Sequence, residues 1–251
     1  MLRDNFLLSL QEKCFKDFDR ADTGNRFTAK KWDFVNKAGL IEVNVLRGSV
    51  FEKACVSTIS ATVTIPDRSH TSTIQWLGIQ TFPVHPSVPM LMAVFEHVDE
   101  RGLEHHPGFF DVYPIVPFDE DRQMLAENIG GVCRSYSRPY PDLPEGYVKM
   151  FRTPDAGIGV GYGVGMALQP DETDHGLFKD ISQAVLSAYF EIVDKRKDAG
   201  PDPEGQEAMK KFRTDWAKFT FMDNRFFQGG IMLGVPPESF MLHMLPPTVC
   251  F

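Results

Sequence analysis

The chain has 251 residues, 43% of them hydrophobic, and a formal net charge of −8. That length can bury a substantial core, and one domain spanning residues 1–251 is the expectation. The negative charge, with no Lys/Arg cluster, argues against nucleic acid as a partner, and no apolar run is long enough to span a membrane.

The N-terminus, MLRDNFLLSLQEKCFKDFDR, carries charges throughout and lacks the apolar core and cleavage site of a secretory signal, so a cytoplasmic location is expected. Leu7, Leu10, Cys14 and Phe18 recur at helical spacing and predict an amphipathic helix to about Arg20. A polar turn at Asp22 to Asn25 and the segment Trp32 to Phe34 follow. Ile41, Val43 and Val45 then alternate with Glu42 and Asn44, the period of a strand. Further strands are predicted at Ala54 to Ile65, Gln75 to Val84, Met90 to Val98 and Gly108 to Ile115, broken by Pro66 and by His85-Pro-Ser-Val-Pro89. Loops too short for a crossover helix make these neighbours antiparallel.

Pro117 and the carboxylates of Phe118-Asp-Glu-Asp121 predict a helix start, the helix running to about Cys133. Arg138 to Pro144 reads as a loop. Glycines occupy alternate positions from Gly157 to Gly165, which in a strand leaves one face bare; that face is either a floor for a flat ligand or a seat for a tightly packed helix. A long helix is predicted from Leu177 to Lys197, a second from Glu204 to about Arg213, a strand around Ile231 to Leu233, and a short last element from Glu238 to Leu245. Strands flanked by helices make the fold class α+β, a sheet covered on both faces. Cys14, Cys55, Cys133 and Cys250 form no CxxC pair and read as reduced, mostly buried thiols.

Asp111 lies inside the apolar run FFDVYPIV and needs either solvent or donors, because a buried unpaired carboxylate is costly. Several stretches resemble the oxygen-dependent coproporphyrinogen III oxidases in the same order: VLRGSVFEKACV from Val45, GIQTFPVHPSVP from Gly78, FDVYPIVPFDED from Phe110, YFEIVDKRKD from Tyr189, then NRFFQGG and ESFMLHMLPPTV. The resemblance implies a curved antiparallel sheet of about seven strands sandwiched between helices, a homodimer, and a cleft for a tetrapyrrole. It implies oxidative decarboxylation of propionate side chains to vinyl groups with dioxygen as co-substrate and no obligatory metal or organic cofactor.

The same resemblance assigns Asp111 to the pyrrole-facing carboxylate and Arg47 and Arg225 to the cleft border, where a planar donor fork suits a carboxylate. His85 lies within the matched stretch from Gly78 and is a candidate for proton transfer. Bland readings stand beside these: Asp111 as a cap, the arginines paired with Glu52 and Glu238 or facing solvent, and His85 as an ordered loop residue. Adjacent His105 and His106 point oppositely in a strand, against chelation. Met92 stands where the family has a proton-donating histidine and Glu96 where it has a carboxylate-binding arginine; Met124, Ala126 and Val235-Pro236-Pro237 replace further family residues. The expectation is thus a divergent, shortened relative, with proton delivery left to a group such as His85 or His243. Its function is that oxidase, a same-scaffold oxidase or oxygenase with a different small acid or aromatic substrate, or a non-catalytic tetrapyrrole-binding protein.

Overall fold

A computed structural model describes residues 2–64, 71–140, 161–162, 166–168 and 175–249. The chain opens with α1 (Asn5–Ala21), then β1 (Thr28–Asp33), β2 (Gly39–Leu46), β3 (Phe51–Thr64), β4 (Thr71–Pro83), β5 (Met90–Glu100), β6 (Leu103–His105) and β7 (Gly108–Tyr113). It continues with α2 (Asp119–Ser135), β8 (Met166–Leu168), α3 (His175–Arg196), α4 (Pro203–Met222), α5 (Arg225–Met232) and α6 (Pro237–Met244). Seven strands pair in the order β1-β2-β3-β4-β5-β7-β8, and short β6 also pairs with β5. Every pairing is antiparallel, as the short connections from β1 to β7 require; β8 pairs with β7 after a long connection that includes α2.

The two faces of this open sheet build two cores, because successive side chains of a strand point oppositely. Ala54, Val56, Leu77, Ile79, Leu91 and Phe95 pack with α1, α2 and α3 on one face. Cys55, Ile59, Trp76, Met92, Val94 and Phe109 face the other way, toward α4 and α6. α1 starts where the Asp4 carboxylate accepts from the Leu7 N–H at 2.7 Å, and it buries Leu7, Leu10, Cys14, Phe18 and Ala21, the stripe its periodicity foretells. The first turn of α2 carries Asp119, Glu120 and Asp121, as the dipole favours. Buried Asp121 has a second role, since Arg196 of α3 grips it with Nε and Nη2 at 2.9 Å each.

Three sequence expectations change. β1 has the exposed, charged composition TAKKWD and shows no apolar alternation, so only its pairing with β2 defines it as an edge strand. The helix expected to end near Arg213 runs on to Met222, with Arg213, Trp216, Ala217 and Thr220 continuing its buried stripe. The strand expected around Ile231 to Leu233 is the end of α5: the Asn224 side chain caps that helix by accepting from Phe226 N–H and Phe227 N–H at 2.9 and 3.1 Å, and so short an apolar run cannot by itself tell helix from strand. Cys14, Cys55 and Cys133 are free and buried, whereas Cys250 lies outside the described residues. So does the glycine alternation, apart from Gly161. No helix among the described residues is long and apolar enough to cross a membrane.

Candidate functional site

A cavity of about 270 Å³ lies between the sheet face formed by β3, β4 and β5 and the helices α5 and α6. Register places its floor: Ile59 of β3 is opposite Trp76 of β4, and Trp76 is opposite Glu96 of β5. In the next rows Gly78 faces Val94 and Gln80 faces Met92. Gly78 is required here, since a Cβ at that position would come within 2.5 Å of the Trp76 ring. The indole therefore leans along its own strand and walls the cavity with apolar surface.

Three titratable groups line the cavity among the described residues: Glu96, Arg225 and His243. The Glu96 carboxylate has no hydrogen-bond or ion-pair partner among the described residues, and burial pushes its pKa up to about 7. The buried His243 ring is held by a 2.8 Å hydrogen bond between its Nδ1 and Ser57 Oγ, with Trp76 edge-on at 5.4 Å. Burial, assisted by the nearby Lys53 charge, pushes His243 down to about 3, so it is neutral at ordinary pH. Helix α6, which carries His243, is anchored at its last carbonyls. Lys53 Nζ donates to Leu242 O at 2.7 Å and to Leu245 O, and Trp216 Nε1 donates to Met244 O at 3.0 Å. Burial pushes Lys53 down to about 8.

Arg225 is the first residue of α5 and stands exposed at the cavity rim. The Asn224 cap fixes that helix start, and alanine at Asn224 is expected to cost about 1 kcal/mol in chemical denaturation. Aspartate at the same position keeps the cap acceptor and is expected to retain stability.

The other sequence candidates are placed differently. Asp111 is fully buried, opposite cavity-lining Met92, but is not itself among the lining residues. Its Oδ1 accepts from the Val112 N–H at 2.8 Å. Gly161, at φ +59°, brings its backbone against this carboxylate, and a Cβ there would sit 2.9 Å from Asp111 Cγ. Arg47 is exposed near the end of β2 and donates to Glu52 O at 3.3 Å. The Glu52 carboxylate is instead taken by Arg213 at 2.5 Å. His85 orders the turn between β4 and β5: its Nδ1 accepts from Ser87 N–H at 3.1 Å, leaving Nε2 to donate to Gly200 O at 2.8 Å. Neither Arg47 nor His85 lines the cavity. His106 is hydrogen-bonded to His175 at 3.0 Å, and among the described residues no group of three or more His, Cys, Asp or Glu is arranged to hold a metal ion.

Of the sequence candidates for the site, the cavity thus gathers Arg225 and His243, and it adds Glu96 and Trp76. Sequence reasoning registered Glu96 only as the loss of an arginine. The signal was available in β5, where Met92, Val94 and Glu96 are spaced by two and share one face. Compared with known protein families, residues 3–251 match the family model described as coproporphyrinogen III oxidase.

Proposed function

Because the chain belongs to the coproporphyrinogen III oxidase family, we propose that it catalyses an oxygen-dependent oxidative decarboxylation of coproporphyrinogen III or a related propionate-bearing tetrapyrrole. Family membership supports a tetrapyrrole-related oxidative decarboxylase, and a tetrapyrrole as the substrate class, at the level of the family. The observation that carries the finer reading is an apolar cavity with a cation at its mouth and a carboxylate inside. In this reading Arg225 holds the propionate of one pyrrole ring at the rim. The ring lies between Trp76 and α5, and Asp111 supplies negative charge behind the Met92 wall. Dioxygen is the oxidant.

The propionate loses carbon dioxide, and the carbon beside the ring gives up a hydrogen with its electron pair. Dioxygen receives that hydride and one proton and leaves as hydrogen peroxide, while the side chain becomes a vinyl group. The protein contributes placement and charge. The test is incubation with coproporphyrinogen III under air, followed by chromatography of the oxidised porphyrins. Vinyl-bearing products with release of peroxide are expected, and folded protein yielding none overturns the reading. A homodimer is part of the same proposal.

A second reading, a same-scaffold oxidase for a smaller aromatic acid, is favoured by one specific feature. Among the described lining residues Arg225 is the one arginine, and Glu96 stands where the resemblance expects another. A substrate with fewer carboxylates fits that arrangement. It predicts dioxygen uptake with a small aromatic acid and no vinyl porphyrin.

A further inference from the structure

One row along from Trp76 and Glu96, Gln75 of β4 pairs with His97 of β5, and strand alternation turns both side chains to the sheet face away from the cavity. With Arg3 and Asp4 ahead of α1, and with His175 and Lys179 of α3, they line an open cleft of about 390 Å³. That volume is in the usual range for small-molecule sites.

The cleft offers donors whose acceptors are missing. Gln75 is 8% exposed, and its Oε1 accepts from the Asp4 N–H at 2.8 Å and from the Arg3 N–H. Only the amide oxygen can accept, so Nε2 is the free end, and it has no hydrogen-bond partner among the described residues. Asp4 is the one carboxylate among the described lining residues, and it is already engaged. Its Oδ1 accepts from the Leu7 N–H at 2.7 Å, and its Oδ2 lies 3.0 Å from His97 Nδ1. Arg3 and Lys179 form no ion pair among the described residues; Lys179 Nζ rests over the Phe6 ring at 5.6 Å. A buried donor without a partner is costly, and neighbouring cations repel. A ligand that brings acceptors and negative charge relieves both.

His175 is the donor whose charge can change. Its Nδ1 lies 3.0 Å from Nε2 of buried His106. Burial, with His175 and His97 close by, pushes His106 down to about 4, so it is neutral at ordinary pH. With His106 accepting, His175 donates through Nδ1 and keeps Nε2 for a further proton. The charged and titratable groups around His175 are His106 itself, His97 of β5 with its neighbours Asp4 and Glu104, Arg3, and Lys179 one turn along α3.

We propose that this cleft is a second ligand site, taking a tetrahedral oxyanion, either the phosphate group of a small ester or free phosphate. Lys179, Arg3, the Gln75 amide and protonated His175 hold it. Donors reaching in from two helices and a strand match a group with several strong acceptor oxygens and a double charge better than they match a single carboxylate.

The test is titration of the intact chain with sulfate, which stays doubly charged from pH 5.5 to pH 8, followed by calorimetry and by NMR of the backbone amides. Saturable binding is expected, with shifts concentrated at residues 3–6, 75, 97 and 175–179. Lys179→Ala should weaken it at least about tenfold, the worth of one charge-assisted hydrogen bond. Gln75→Glu keeps an oxygen for the Arg3 and Asp4 N–H groups but loses the free donor, and it should weaken binding by at least as much. Lys16→Ala, which removes an exposed lysine of α1 outside the cleft, should change nothing. Affinity should fall from pH 5.5 to pH 8 as imidazolium gives way to imidazole, and His175→Gln should flatten that trend. Phenyl phosphate binding more tightly than inorganic phosphate identifies an ester as the ligand, and equal affinity identifies free phosphate. Shifts no larger than those from chloride at equal ionic strength mean an adventitious ion only and overturn the proposal. So does an affinity untouched by Lys179→Ala or Gln75→Glu, or a pH trend that persists in His175→Gln.

Discussion

Replacing Asp22 by alanine is expected to destabilise the fold by about 4 kcal/mol, since several neutral donors lose a charged acceptor at about 1–3 kcal/mol for each one left unsatisfied. Asp22 follows the last turn of α1 and is 1% exposed. Its Oδ1 accepts from Ser49 N–H at 3.0 Å, from Ser49 Oγ at 3.2 Å and from Asn25 Nδ2 at 3.0 Å, and its Oδ2 accepts from Val50 N–H and Phe51 N–H at 2.9 Å each. One carboxylate thereby ties the end of α1 to the hairpin turn between β2 and β3. That turn sets Phe51 against Phe18 at 5.1 Å, a contact at the centre of the first core. Alanine leaves the backbone donors of this turn facing a void, where each lost bond carries its desolvation cost. Asparagine fills the volume but presents an amide N–H₂ to N–H donors, so an intermediate loss of about 2 kcal/mol is expected. Urea unfolding measures both, and an alanine variant within 1 kcal/mol of the parent would show that water replaces this network at little cost.

Replacing Glu96 by glutamine is expected to lower turnover by at least about a hundredfold under the proposed reaction, the usual worth of a positioned acid–base group. In the parent protein kcat/KM should rise with pH through about 7, because Glu96 receives the ring N–H proton only when ionised. That rising limb should vanish in Glu96→Gln. Stability should move in the opposite sense. The folded protein holds the Glu96 proton up to about 7, whereas the ordinary value is 4.5, so the stability this proton supplies is complete below about 4.5 and is lost as pH rises through about 7. Thermal unfolding of parent and variant should therefore share their pH trend below about 4.5, diverge between about 4.5 and 7 with the glutamine variant gaining relative to the parent, and run parallel again above that. A variant that keeps both the rate and the rising limb would remove Glu96 from the chemistry.

Arg213 illustrates how local spacing conceals a tertiary role. By sequence it marks the end of a predicted helix. In the fold it is buried, 2.5 Å from Glu52 on β3 and 2.7 Å from Pro83 O on β4, and so fastens α4 across two strands. Asp121 is similar: its place in a first helical turn explains the acid, but not the bidentate arginine 75 residues away that keeps it buried. Charged residues of this kind look like solvated surface until the partner is brought up by folding.

By itself the sequence determined the local elements: the apolar stripe of α1, the alternating run of β2, the β-rich runs of β3 to β5, the antiparallel order of strands joined by short loops, and the ordered set of motifs that marks the family. These are consequences of side-chain period and loop length, which are local. Tertiary structure alone decided which carboxylate faces the cavity. Asp111, the acid that looks most out of place in an apolar run, is enclosed beside Val112 and Gly161, whereas Glu96, which the sequence marks only as the loss of an arginine, stands beside Trp76 and lines the cavity. The physical reason is that a strand period tells only which residues share a face, and what covers that face comes from α5 and α6, whose residues lie more than a hundred positions further along the chain.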